Sequence, residues 1–349
     1  MSGSFTTTFE KLEHAPFGAR VLISPAPTSA LTPDNATSFG QALEAALYEV
    51  GGLLVVPEMA ALASAPEAFV ALSQAFGPEV ENIRDTLTAE RFFHPDLAEI
   101  MVLSNTPPCA HRPPALPTPS HRADGALITS YPQQSNWHTD QSYRRPPPDV
   151  TLLLALTTPP ADQGQTLFAD CAAAYDTLDV ETQQVLEGLE GLHAMSWIGR
   201  RREDVLNGVA PQRVHAHQEP QRHPLVRRHP VTGRKGLYIC DSGQMDFVDG
   251  PIVGMEPGPD GDGAALLDRL LRHVTSPDNV YAHHWTPGDL VIADNRALMH
   301  AATWYDADRY ARLLWRTTVH GNPGASYIGD AKSWLPPADV SMMAGMENV

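Results

Sequence analysis

The richest concentration of chemistry-bearing side chains in this sequence is the run Asn136-Trp137-His138-Thr139-Asp140. If the run is extended, residues two apart share a face, and the His138 imidazole and Asp140 carboxylate converge on one point. Such a pair, joined by a second imidazole, makes the facial triad that holds non-haem Fe(II) and leaves three coordination positions open. The open positions set the chemistry: a 2-oxo acid chelates through its carboxylate and keto oxygens, and O2 takes the remaining site. H-x-D alone is a weak signal in a chain with 15 histidines. The second imidazole must come from a distance, and His300 is the candidate, placed shortly after a strand and turn that end at Arg296.

A second group of residues follows. Tyr310 to Val319 has strand character, with Arg312, Leu314, Arg316 and Thr318 on one face and Leu313, Trp315 and Val319 on the other. Two arginines on a face with few other polar groups are costly to bury without anionic partners. Those partners are either the chain's own carboxylates or a bound anion, which a guanidinium grips bidentately. A 2-oxo dicarboxylate chelated at iron would offer its distal carboxylate to such a group.

Other candidates carry plainer expectations. His215, His217, His223 and His229 lie in a polar stretch near Arg200 to Arg202 and are expected in a solvated loop. Of His283 and His284, one is expected to face solvent and the other to pack. Asn295 and Trp285 read as turn and core residues.

The elements that must position these groups are short and mostly extended. Asn35 to Val56 reads as a capped helix, closed by Gly51 and Gly52, followed by a buried strand. Glu67 to Phe76 reads as a second amphipathic helix, stopped by Gly77 and Pro78. Strands are expected at Glu99–Leu103, Thr151–Thr157, Leu237–Cys240, Val280–Trp285, Asp289–Ala293 and Ala311–Val319. A helix over Ala172–Gly188 is expected to break near Asp179. Another, Gly263–Val274, turns Leu266, Leu267, Leu270, Leu271 and Val274 inward. The fold class implied is mainly β with flanking helices, built as a double-sheet jelly roll. With no linker or repeat, residues 1–349 read as a single domain. Within it, 106–134 is a proline-rich lid or insertion and 322–349 a C-terminal tail.

Composition narrows the partners. With 24 Lys plus Arg against 41 Asp plus Glu, the formal net charge is −17, which disfavours nucleic acid and anionic membranes. The three cysteines, Cys109, Cys171 and Cys240, have neither disulfide-framework nor zinc-finger spacing. No apolar run approaches the ~20 residues of a membrane span, and the first residues do not have the pattern of a signal peptide. A reducing cytoplasm is the expected location, with assembly into a homo-oligomer left open.

Taken together, WHTDQSY at 137–143, GQTLFADCAAAYDTL at 164–178, HPLVRRHPVTGRKGLY at 223–238, WTPGDLVIADNRALMHAA at 285–302 and RLLWRTTVHG at 312–321 resemble the taurine dioxygenase and aryloxyalkanoate dioxygenase family. The likeness runs from about residue 37 to 321. It implies a double-stranded β-helix, Fe(II) held by His138, Asp140 and His300, and 2-oxoglutarate as co-substrate with O2. It further implies that Thr166 and Arg312 bind the distal carboxylate of 2-oxoglutarate, and that Arg316 and Gln134 face a small substrate carrying an anionic group. The presence of Asp140 points to hydroxylation, since related halogenases lack that carboxylate. Two departures fall near the site: Gln165 stands where the family usually has a second glycine, and the 106–134 insertion is long. The competing expectations are a hydrolase or isomerase using another metal on the same barrel, and a non-catalytic small-molecule-binding protein.

Overall fold

The computed structural model describes residues 6–334 apart from 14, 25–30, 87, 116–120, 213–217, 242, 323–326, 328 and 329. The N-terminal part contains β1 (Thr6–Lys11), β2 (Ala19–Ser24), α1 (Pro33–Glu49), β3 (Leu53–Val56), α2 (Pro66–Gln74), β4 (Glu79–Val80) and β5 (Met101–Ser104). The middle holds β6 (Val150–Thr157), β7 (Thr166–Asp170), α3 (Cys171–Asp176), α4 (Val180–Leu186), β8 (Glu190–His193) and α5 (Arg202–Leu206). There follow β9 (Gln221–Pro224), β10 (Val226–Arg228), β11 (Lys235–Leu237), α6 (Asp262–Val274), β12 (Val280–His283), β13 (Leu290–Asp294), β14 (Leu298–Ala302) and β15 (Leu313–His320).

Two sheets face each other. The larger has eight strands in the order β1-β2-β3-β13-β6-β15-β4, with β5 also paired to β15. The smaller runs β12-β7-β14. Strand alternation then sorts the side chains into layers. Leu152, Leu154, Leu290, Ile292, Trp315 and Val319 turn outward from the large sheet onto the apolar faces of α1 and α2. Leu153, Ala155, Val291, Ala293 and Leu314 turn the other way and meet Phe168 and Leu298 of the small sheet. On the far side of that sheet, Leu167, Ala169, Met299 and Ala301 pack against Leu266, Leu267, Leu270 and Leu271 of α6. Each such aliphatic side chain stabilises the fold by roughly 1.5–3 kcal/mol when fully buried. The architecture is mainly β, braced by a helical layer on each side.

The helices α1 to α4 and α6 form where the sequence pattern places them, while the short α5 was not expected. α1 is entered through Thr32, whose capping box with Asn35 supplies its first turn, and Pro33 opens it. It stops at Gly51 and Gly52, both left-handed with φ of 87° and 91°, a conformation that favours glycine. The break between α3 and α4 falls at Asp179, whose carboxylate caps α4 by accepting from the Thr182 amide. Three strands differ clearly from expectation: β12 ends at His283 rather than Trp285, β15 begins at Leu313 rather than Ala311, and β11 ends at Leu237, so that the run to Cys240 joins no ladder. Its backbone groups go elsewhere, with the Tyr238 amide donating to the Leu225 carbonyl. No described helix is long and apolar enough to cross a membrane.

Candidate metal centre

His300 lies in the middle of β14, its side chain on the face that looks between the sheets. His138 is joined to it by a single antiparallel bridge, in which the His138 amide donates to the His300 carbonyl at 2.9 Å and the His300 amide returns the bond at 2.7 Å. The ligand run is therefore not a full strand. Asn136 and Gln141, on either side of the ligands, adopt left-handed φ of 63° and 50°, so His138 and Asp140 sit between two turns. Convergence comes from one bridge plus a turn, where the sequence pattern suggested a strand.

The three side chains meet. One ligand atom each from His138, Asp140 and His300 lies within 4.8 Å of the others. Asp140 Oδ1 is 3.7 Å from His138 Nε2 and 3.9 Å from His300 Nε2. His138 Nδ1 lies 2.6 Å from the Asn136 carbonyl; donating there fixes the tautomer and leaves the Nε2 lone pair for a metal. Burial, helped by the neighbouring His138, pushes His300 down to about 3, so its imidazole is neutral and ligand-ready. Burial would raise the Asp140 carboxyl, but Arg316 and the two imidazoles hold it well below the usual carboxylate range. Two neutral-capable imidazoles and one ionised carboxylate are a fitting donor set for Fe(II).

Residues that the sequence did not single out orient this set. The Thr151 hydroxyl donates to Asp140 Oδ2 at 2.7 Å, leaving Oδ1 toward the imidazoles. Thr151 in turn accepts from Asn295 Nδ2 at 2.9 Å, and the Asn295 carbonyl accepts from the Thr139 hydroxyl at 2.8 Å. Asn295 is thus a turn residue that also supports a ligand. Beyond Asp140, Gln141 donates to Glu81, and Glu81 forms a buried ion pair with Arg144.

A cavity opens between the sheets, lined by the triad together with Thr166, Arg312, Arg316, Leu103, Leu153, Leu314, His111, Pro113 and Pro114. Arg312 and Thr166 are both in its wall. Arg312 has no acidic partner among the described residues, and its Nε is a buried donor with no acceptor. Burial pushes its guanidinium down to about 10, which still leaves it charged at neutral pH and in want of an anion. Trp285 connects the two: its indole Nε1 donates to Thr166 Oγ1 at 2.9 Å, and its ring lies 6.0 Å from the Arg312 guanidinium carbon. Having accepted that bond, the Thr166 hydroxyl keeps its own proton free to donate. Trp285 is a core residue, as its sequence context implied, and also a brace for these two side chains.

Arg316 lines the same cavity and is bonded to Asp140 Oδ1 at 3.1 Å. Gln134 is elsewhere: it is buried, outside the cavity lining, and its amide nitrogen has no partner among the described residues. His283 is buried and His284 exposed, as expected for that pair. The solvated-loop expectation fails for two histidines. His223 is buried in β9, placing Nε2 2.8 Å from the Ser142 carbonyl and Nδ1 2.9 Å from the Tyr327 hydroxyl. His229 is buried beside Asp294, at 2.9 Å. Their partners lie far away in sequence, so a polar local composition concealed two inward-facing residues. His215 and His217 lie outside the described residues. The three cysteines are free thiols and buried.

The chain is similar to known proteins in sequence and in fold. Residues 8–318 match the family model described as taurine catabolism dioxygenase TauD, TfdA family. An (S)-phenoxypropionate/alpha-ketoglutarate-dioxygenase of Sphingobium herbicidovorans is 33% identical over 193 residues, covering 54% of this chain and 63% of that protein. An alpha-ketoglutarate-dependent 2,4-dichlorophenoxyacetate dioxygenase of Cupriavidus pinatubonensis is 32% identical over 251 residues, or 72% of this chain and 79% of that one. The first of these matches spans under two thirds of the relative's length, the second more. Among solved structures, AAD-2 in complex with Mn(II) and N-oxalylglycine superposes with a TM-score of 0.66 at 28% identity, covering 92% of this chain and 99% of that one.

Proposed function

Since the chain belongs to the TauD/TfdA dioxygenase family, we propose that it is an Fe(II)- and 2-oxoglutarate-dependent dioxygenase that hydroxylates a small anionic molecule, releasing succinate and CO2. The observation that carries this reading is a cavity with the His138-Asp140-His300 cluster and an acid-free arginine, Arg312, in one wall. His138, Asp140 and His300 would hold the iron. When bound, iron couples decarboxylation of the 2-oxo acid by O2 to oxidation of a substrate C–H bond; the protein contributes position and electrostatics.

Those contributions can be assigned. Thr151 and Asn295 fix the Asp140 carboxylate, and the Asn136 carbonyl fixes the His138 tautomer. Arg312 and Thr166 take the distal carboxylate of 2-oxoglutarate, the first through charge and the second through its free hydroxyl proton. Arg316 neutralises the anionic group of the substrate, exchanging part of its bond to Asp140 for that contact. Leu103, Leu153, Leu314, Pro113 and Pro114 supply apolar wall for the rest of the molecule and keep water from the reacting carbon. Gln134, buried and outside the cavity lining, is given no contact with the substrate in this reading.

The facing sheets are read as a double-stranded β-helix within one domain over 1–349. The 106–134 insertion serves as its lid and 322–349 as a tail. The relatives named above act, by their names, on phenoxyalkanoates, which fits a carboxylate-bearing substrate here. A reducing cytoplasm suits three unpaired thiols, and assembly into a homo-oligomer is compatible with this reading. A panel of small carboxylates, sulfonates and phosphonates, read by succinate release, tests the substrate class. The best substrate is expected to lose about a hundredfold in kcat/KM in Arg316→Ala, the effect of a lost charge-assisted bond of ~3 kcal/mol. An unchanged value would remove the anion reading.

A further inference from the structure

Arg312 precedes β15 rather than lying in its ladder, so the strand alone does not fix it. Its backbone is held by Asn105, which immediately follows β5. The Arg312 amide donates to Asn105 Oδ1 at 2.8 Å. The Asn105 amide nitrogen donates to the carbonyls of Ala307 and Tyr310, each at 2.9 Å. One half-buried side chain thereby uses an acceptor and both amide protons on a single stretch of backbone that ends at Arg312. The 106–134 insertion, which begins at the next residue, is tied to the same stretch by an exposed Arg112–Asp308 ion pair at 3.0 Å. It then delivers His111, Pro113 and Pro114 to the cavity wall that also carries Arg312.

We infer that Asn105 is a positioning residue for co-substrate binding, and that the first part of the proline-rich insertion closes the distal-carboxylate end of the cavity. The segment thus sets affinity for the 2-oxo dicarboxylate itself. This rests on the reading of Arg312 as the distal-carboxylate anchor. A bidentate grip tolerates little displacement. Without Asn105, two carbonyls and one amide lose their partners, and the backbone leading into Arg312 loses the side chain that ties 307, 310 and 312 together.

The test is equilibrium binding to the Mn(II)-loaded protein, which reads no turnover. Two titrants are compared: 2-oxoglutarate, and pyruvate, which keeps the chelating 2-oxo carboxylate and lacks the distal one. Asn105→Ala is expected to raise the Kd for 2-oxoglutarate about tenfold and leave that for pyruvate within about twofold. Asn105→Leu, which keeps the side-chain bulk without the hydrogen bonds, should behave likewise, and far-UV circular dichroism checks that each variant is folded. Unchanged 2-oxoglutarate binding in both variants overturns the inference, as does an equal loss for both titrants. Arg312→Ala separates the role of Asn105 from that of Arg312. If it weakens 2-oxoglutarate while the Asn105 variants do not, the inference alone fails; if it too has no effect, the reading of Arg312 fails with it.

Discussion

At the scale of single residues, the metal centre depends on groups that never touch the metal. Asp140 is held ionised by Arg316 and is aimed by Thr151, which is itself aimed by Asn295. Replacing Thr151 with Val keeps the shape and deletes the bond that orients the carboxylate. Metal affinity, measured by competition with a chelator, should fall about tenfold, the low end for supports of this kind. The convergence of His138, Asp140 and His300 was legible in the sequence, because H-x-D, a distant histidine and an arginine-bearing strand follow one another in order. Thr151, Asn295 and Trp285 were not. Their partners are Asp140, Thr151 and Thr166, and only the folded chain brings those side chains within hydrogen-bond distance. Periodicity can say that Thr151 faces inward; it cannot say what stands opposite. The same limit hid His223 and His229, whose burial is decided by Ser142 and Asp294.

At the scale of elements, two strands of one small sheet carry the site. β14 presents His300 and β7 presents Thr166, in a register that sets His300 opposite Phe168 and Ala302 opposite Thr166. A slip of β14 by one residue against β7 would turn His300 to the α6 side and part it from Thr166. α6 prevents that slip by burying the outer face of the same two strands. Leu267 sits in that contact, about 1% exposed. Leu267→Ala should lower unfolding free energy by ~2–5 kcal/mol, the cost of a core cavity, measurable by denaturant titration. A cost under 0.5 kcal/mol would mean that α6 does not clamp the sheet. This layer was readable in advance, since the 3.6-residue spacing of its leucines marks one face. The ligand tripeptide was less so. Its i, i+2 spacing suggested a strand, whereas a bridge and two left-handed residues do the positioning.

At the scale of the whole molecule, the site is bolted to the large sheet through charge. Glu81, at the end of β4, pairs with Arg144 in the loop beyond Asp140, and Trp334 from the tail lies over that guanidinium at 5.0 Å. Burial would raise the Glu81 carboxyl, but Arg144 and then His320 outweigh it and hold it at about 2. A depressed carboxylate contributes stability that is complete above its unfolded value of about 4.5 and is lost as pH falls through 2. Glu81→Gln should therefore be less stable at pH 7 by about 3 kcal/mol and should lack that part of the acid dependence between pH 4.5 and 2. Parallel stability curves for the two proteins across this window would contradict the assignment. The central claim concerns the triad as an oxygen-using iron site, and succinate formed from 2-oxoglutarate measures it most directly. With Fe(II) and O2 the wild-type protein should release succinate, release none when O2 is withheld, and fall to the level of protein-free iron in Asp140→Ala and His300→Ala. Succinate release that persists without O2, or that survives in either variant, would contradict it.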